Sequence, residues 1–64
     1  MRLFSYRVWT IDGYAYFIDA ATVDDAKASA VALAHDAIDW LRLSSWSRHA
    51  AVTVALVEVL GNAL

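Results

Sequence analysis

Apolar and polar positions divide the chain into a hairpin, an amphipathic helix and a final apolar strand. Residues 2–11 (RLFSYRVWTI) are crowded with aromatic and β-branched side chains and read as a strand. Asp12-Gly13 follows, a dipeptide suited to a two-residue type I′ turn, whose central positions both need positive φ. Residues 14–19 (YAYFID) return as a second strand. Such a turn pairs Ile11 with Tyr14, Trp9 with Tyr16, Val8 with Phe17 and Tyr6 with Asp19. It sorts the hairpin into two sets of side chains. One holds Leu3, Ser5, Arg7, Trp9, Ile11, Tyr14, Tyr16 and Ile18; the other holds Phe4, Tyr6, Val8, Thr10, Ala15, Phe17 and Asp19. The first set is bulkier and is assigned to the covered face of the sheet.

Thr22-Val23-Asp24-Asp25 resembles a capping box with aspartate in place of glutamate. Asp24 and Asp25 would sit at the positive end of the helix dipole. The pattern predicts a helix from about Val23 to Arg42, roughly 30 Å long at 1.5 Å per residue. At 100° per residue, Val23, Ala26, Ala30, Leu33, Ala34, Ala37 and Leu41 fall on one stripe. Most of that stripe is alanine. Small helix residues against a sheet rich in aromatic side chains are complementary in volume, as close packing requires.

Residues 43–50 (LSSWSRHA) read as a polar connection, and residues 51–60 (AVTVALVEVL) as a third strand. Apart from Thr53 and Glu58, both alternating faces of that strand are apolar. A helix capped by Ser47 and ended by Gly61 is the competing reading. With a right-handed crossover, the third strand lands beside the first. The expected fold is one α+β domain over residues 1–64. Its order is β-β-α-β: a three-stranded antiparallel sheet in order 2-1-3, with one long helix on one face.

Composition narrows the class. Of 64 residues, 61% are apolar and 19% charged, the reverse of a disordered chain. The absence of cysteine excludes a disulfide scaffold and a thiolate metal site. No uninterrupted apolar stretch approaches the roughly 18 residues of a membrane span. Met1 to Thr10 carries Arg2 and Arg7 and lacks a secretory apolar region, so a cytoplasmic location is expected. A domain this small is marginal without staples. Its apolar surplus therefore points to association with another chain. The valine-rich third strand offers one route if it lies at an edge, through Val52, Val54, Leu56, Val57 and Val59. An uncovered sheet face offers another, and either makes a homodimer.

Charge is uneven. Residues 12–39 hold all six aspartates and the single lysine, for −5, against a total of −2. Turn and capping roles account for Asp12, Asp24 and Asp25. Asp36 and Asp39 have no such role, and with Asp25 they lie opposite the alanine stripe. Carboxylates spaced along a rigid helix form an acidic face suited to the basic surface of a larger protein, including one built to hold nucleic-acid phosphates.

Catalytic signals are weak. His35-Asp36 matches the dyad of metal-dependent phosphohydrolases without their further ligands, although Asp39 and His49 are nearby in sequence. Ser44, Ser45 and Ser47 precede His49 in a polar connector, and there is no glycine-rich phosphate loop. No enzyme activity, metal or cofactor is expected. Arg7, Trp9, Tyr14 and Tyr16 would make a stacking platform for single-stranded nucleic acid if their face were open. An acidic chain with one lysine lacks the usual basic footprint, so direct nucleic-acid binding is not the expected role.

A hairpin, then Thr22-Val23-Asp24-Asp25-Ala26-Lys27 opening an alanine-rich helix, then a valine-rich strand, resembles short α+β proteins of phages and mobile elements. Anti-CRISPR proteins are among them, and some act as acidic DNA mimics. The resemblance implies a non-catalytic inhibitor that occupies a larger host protein or protein–nucleic-acid complex. A self-associating module is the alternative.

Overall fold

The computed structural model describes residues 2–63. Its elements are β1 (Phe4–Thr10), β2 (Ala15–Ala20), α1 (Val23–Ala37), a 3-10 turn (Trp40–Arg42), α2 (Ser45–Val52) and β3 (Val54–Asn62). The sheet order is β2-β1-β3 and both pairings are antiparallel, as the sequence predicts. α1 packs across the sheet with Ala26, Ala30 and Ala34 fully buried. Spaced four apart, the three alanines form one row, and the small size of Ala26 and Ala30 brings the helix close to Tyr6, Val8, Ile18 and Ala20. The other members of the predicted stripe are not buried, and Leu41 is almost wholly exposed.

The hairpin differs from expectation by one residue. Thr10 and Tyr14 close the loop, with the Thr10 amide donating to the Tyr14 carbonyl at 2.9 Å and the Gly13 amide to the Thr10 carbonyl at 3.0 Å. Only Gly13 adopts positive φ (87°) in this loop, so a type I′ turn, which also needs it at Asp12, does not form. The loop has three residues, a tight turn followed by a left-handed glycine. Its geometry suits the Asp12 carboxylate, which accepts from the Thr10 hydroxyl and, at 3.2 Å, from the Tyr14 amide. Val8 therefore pairs with Tyr16, Arg7 with Phe17 and Tyr6 with Ile18.

This slip corrects the assignment of faces. A shift of one residue moves a strand's whole side-chain set across the sheet. Tyr6, Val8 and Thr10 lie with Tyr16, Ile18 and Ala20 on the covered side; Ser5, Arg7 and Trp9 lie with Ala15, Phe17 and Asp19 on the open side. The bulkier predicted set is thus divided between the two.

The long helix is also corrected. α1 ends at Ala37, and Ile38 leaves it in extended backbone (φ −109°, ψ 137°). Asp39 then caps the 3-10 turn, its carboxylate accepting from the Leu41 amide at 3.2 Å. The indole of Trp40 donates to the His35 carbonyl at 2.7 Å and packs beside the His35 ring. Side-chain partners have replaced the helical ones, as short polar residues favour.

The predicted polar connection is largely α2. Ser44, rather than Ser47, is its cap: the Ser44 hydroxyl oxygen accepts from the Ser47 amide at 3.1 Å. Ala50 and Ala51 bury α2 against the rest of the fold. The third strand accordingly starts at Val54, with Val52 in the last turn of α2. Along β3 the register shifts twice, once on each side of the run Leu56–Val59. No helix among the described residues is long and apolar enough to cross a membrane.

Two substitutions test these forces. Gly13→Ala meets no atom within 4 Å, so its cost comes from backbone alone. A loss of about 1–2 kcal/mol is expected by urea unfolding; an unchanged midpoint would contradict the left-handed turn. Ala30→Leu should cost about 1–3 kcal/mol by forcing α1 off the sheet.

Candidate functional site

The uncovered side of the sheet carries the best-defined side-chain arrangement in the molecule. β1 runs through its centre and contributes Ser5, Arg7 and Trp9. Arg7 lies between Phe17 of β2 and Glu58 of β3; Trp9 lies between Ala15 and Leu56. Period-two alternation aims these side chains at the same side, away from α1.

Glu58 gathers the donors of this face. Its Oε1 accepts from Arg7 Nε at 2.7 Å and from Trp9 Nε1 at 2.6 Å, while Oε2 accepts from Arg7 Nη2 at 3.0 Å. The fork-to-carboxylate match is bidentate, which fixes orientation as well as distance. The guanidinium carbon also lies 5.6 Å from the centre of the Trp9 ring, within cation–π range. Hydrogen bonds from Arg7 and then Trp9 lower the Glu58 carboxyl to a pKa of about 2, against a partial opposing effect of burial. The hydrogen bond to Glu58 likewise raises Arg7 above its ordinary value. A carboxylate so committed stays ionised at neutral pH and has no oxygen free of a donor.

Around this ion pair the face is apolar. Phe17 is 71% exposed and Leu56 is 55% exposed, on opposite sides of β1. Asp19 accepts from the Ser5 hydroxyl at 2.8 Å, toward the other end of the strand. With Arg7 and Glu58 paired to one another, Phe17 and Leu56 are the large exposed apolar groups beside the ion pair, and Asp19 is an exposed carboxylate farther along the face.

The sequence-predicted residues are dispersed. Asp25 and Asp36 are exposed on α1, eleven residues apart, about 16 Å along the axis. Asp39 lies outside the helix, where it caps the 3-10 turn and pairs with Arg42 Nε at 3.2 Å. Val54 and Val57 pack against the core. Leu56 faces the open side, whereas Val59, opposite Tyr6, is exposed on the helix side. The aromatic platform is also divided. Arg7 and Trp9 occupy the open face, Tyr16 faces the helix side opposite Val8, and Tyr14 closes the hairpin loop against Thr10.

Phe17 and Glu58 are the site residues that sequence reasoning did not select. Glu58 had a signal, as the lone charge within a valine-rich run facing a strand that contains Arg7. Phe17 depended on the hairpin register. Among the described residues, no group of three or more His, Asp or Glu is arranged to hold a metal ion.

The depressed Glu58 value gives a pH test. A carboxyl near 2 in the folded protein and near 4.5 when free stabilises the fold above about pH 4.5, and that contribution disappears as pH falls toward 2. The difference in urea midpoint between wild type and Glu58→Gln should therefore narrow from pH 6 to pH 2. A constant difference would show that the ion pair does not contribute through ionisation.

In comparisons with known proteins, the chain matches no family model, no curated protein and no solved structure.

Proposed function

We propose that this protein is a small non-catalytic interaction module whose working surface is the uncovered face of its sheet, with a second copy of the chain as its partner. The observation that carries this reading is the exposure of Phe17 and Leu56 on either side of the Arg7–Glu58–Trp9 network. Large apolar side chains gathered on an uncovered face are the usual mark of an interface. Charge supports a copy over a strongly charged partner, because Arg7 and Glu58 neutralise one another within the patch. Face-to-face docking also suits the strand geometry. The two register shifts along β3 interrupt its outer edge, and such bulges discourage pairing with another strand.

A second reading rests on α1. Asp25 and Asp36 are exposed and form no ion pair among the described residues. They leave an acidic helix side for the basic surface of a larger host protein. An inhibitor of the anti-CRISPR type, encoded by a phage or mobile element, would work in this way.

Sedimentation across a micromolar-to-millimolar series tests the first reading. Wild type should pass from monomer to dimer, and Phe17→Asp should weaken association by about tenfold or more, equivalent to about 1.4 kcal/mol. Circular dichroism should remain unchanged, since Phe17 is mostly exposed. A wild type that stays monomeric throughout removes the dimer. Loss of partner capture on reversing Asp25 and Asp36 to lysine, with Phe17→Asp silent, would favour the inhibitor.

A further inference from the structure

On the other side of the sheet, a cleft of about 500 Å³ opens between the hairpin loop and the two helices. Ile11, Tyr14 and Tyr16 form one wall, Ile38 and Trp46 line the helical side, and Asp12 supplies a carboxylate. The volume falls within the roughly 300–1,000 Å³ of small-molecule sites. From these groups we propose that the cleft binds a small organic cation with an apolar body, such as a quaternary or aromatic ammonium.

Several observations converge on that chemistry. The rings of Tyr14 and Tyr16 lie 5.6 Å apart and are tilted by 37°, so they present a bent aromatic surface. Trp46 adds an indole that is 67% exposed and therefore accessible to a ligand. Aromatic faces attract cations through their quadrupoles. Among the described residues, Asp12 is the only acidic residue lining the cleft, and no lysine or arginine lines it to oppose a cation. Its carboxylate is held in place by the Thr10 hydroxyl and the Tyr14 amide. Burial, followed by the fields of Asp12 and Tyr14, raises the Tyr16 hydroxyl above its ordinary value, consistent with a site that disfavours added negative charge. The remaining lining is largely aliphatic and matches an apolar body.

The whole chain can be titrated by NMR with benzyltrimethylammonium, neutral benzyl alcohol and anionic phenylacetate. The cation should shift the Tyr14 and Tyr16 amides and the Trp46 indole, and should bind at least about tenfold more tightly than either comparison compound. Asp12→Asn retains an acceptor for the turn while removing its charge, and Trp46→Leu retains an apolar wall without an indole. Each should weaken cation binding by about tenfold and leave benzyl alcohol nearly unaffected. Equal binding of benzyl alcohol, or shifts confined to residues outside the cleft, would overturn the proposal. Tighter binding of N-acetylarginine amide than of benzyltrimethylammonium would overturn the assignment to a small molecule in favour of a protein side chain.

Discussion

The turn from Thr10 to Tyr14 sets the register of the hairpin, and through it the identity of both sheet faces. Asp12 draws the Thr10 hydroxyl and the Tyr14 amide onto one carboxylate, while Gly13 takes the left-handed conformation that completes the reversal. That arrangement pairs Val8 with Tyr16 and Arg7 with Phe17. Moving the pairing by one residue would transfer Phe17 and Tyr16 across the sheet. The proposed interface and the proposed cleft both depend on this local geometry, although they use opposite sides of β2.

The covered side is built on close approach rather than on bulk. Ala26 and Ala30 bring α1 onto Tyr6, Val8, Ile18 and Ala20, and Ala34 is buried in the same row, so small residues shield the centre of the sheet. α1 is too short to cover everything. Beyond Ala37 the chain bends through the 3-10 turn into α2, in which Ala50 and Ala51 are buried. The cleft lies where the helical layer and the hairpin loop meet. On the open side, the cross-strand pair of Arg7 and Glu58 ties β1 to β3 and organises the apolar side chains around it.

Much of the architecture was legible in local patterns. Three strands and an N-capped alanine-rich helix each have a short-range signature, and connection rules select the order 2-1-3. Thr22 does accept from the Asp25 amide, at 3.1 Å, as the capping pattern implies. The helix end was less legible. A continuous 100° periodicity runs past Ala37, but Trp40 and Asp39 make bonds that compete with further helix. Ser44 and Ser47 had the same ambiguity, because each can cap a helix and only the geometry of the connection selects Ser44.

By itself the sequence determined the α+β class, the strand order, the start of the helix and the alanine row that faces the sheet. Each of these follows from side-chain size, periodicity or a capping bond within a few residues. The tertiary structure decided which aromatic side chains share a face, where α1 stops and which residues surround Glu58. Those outcomes depend on register and on partners as distant as Arg7 and Glu58, 51 positions apart. Asp12-Gly13 is compatible with more than one turn length, and only the closed hairpin shows that a three-residue loop places Phe17, rather than Ile18, beside Arg7.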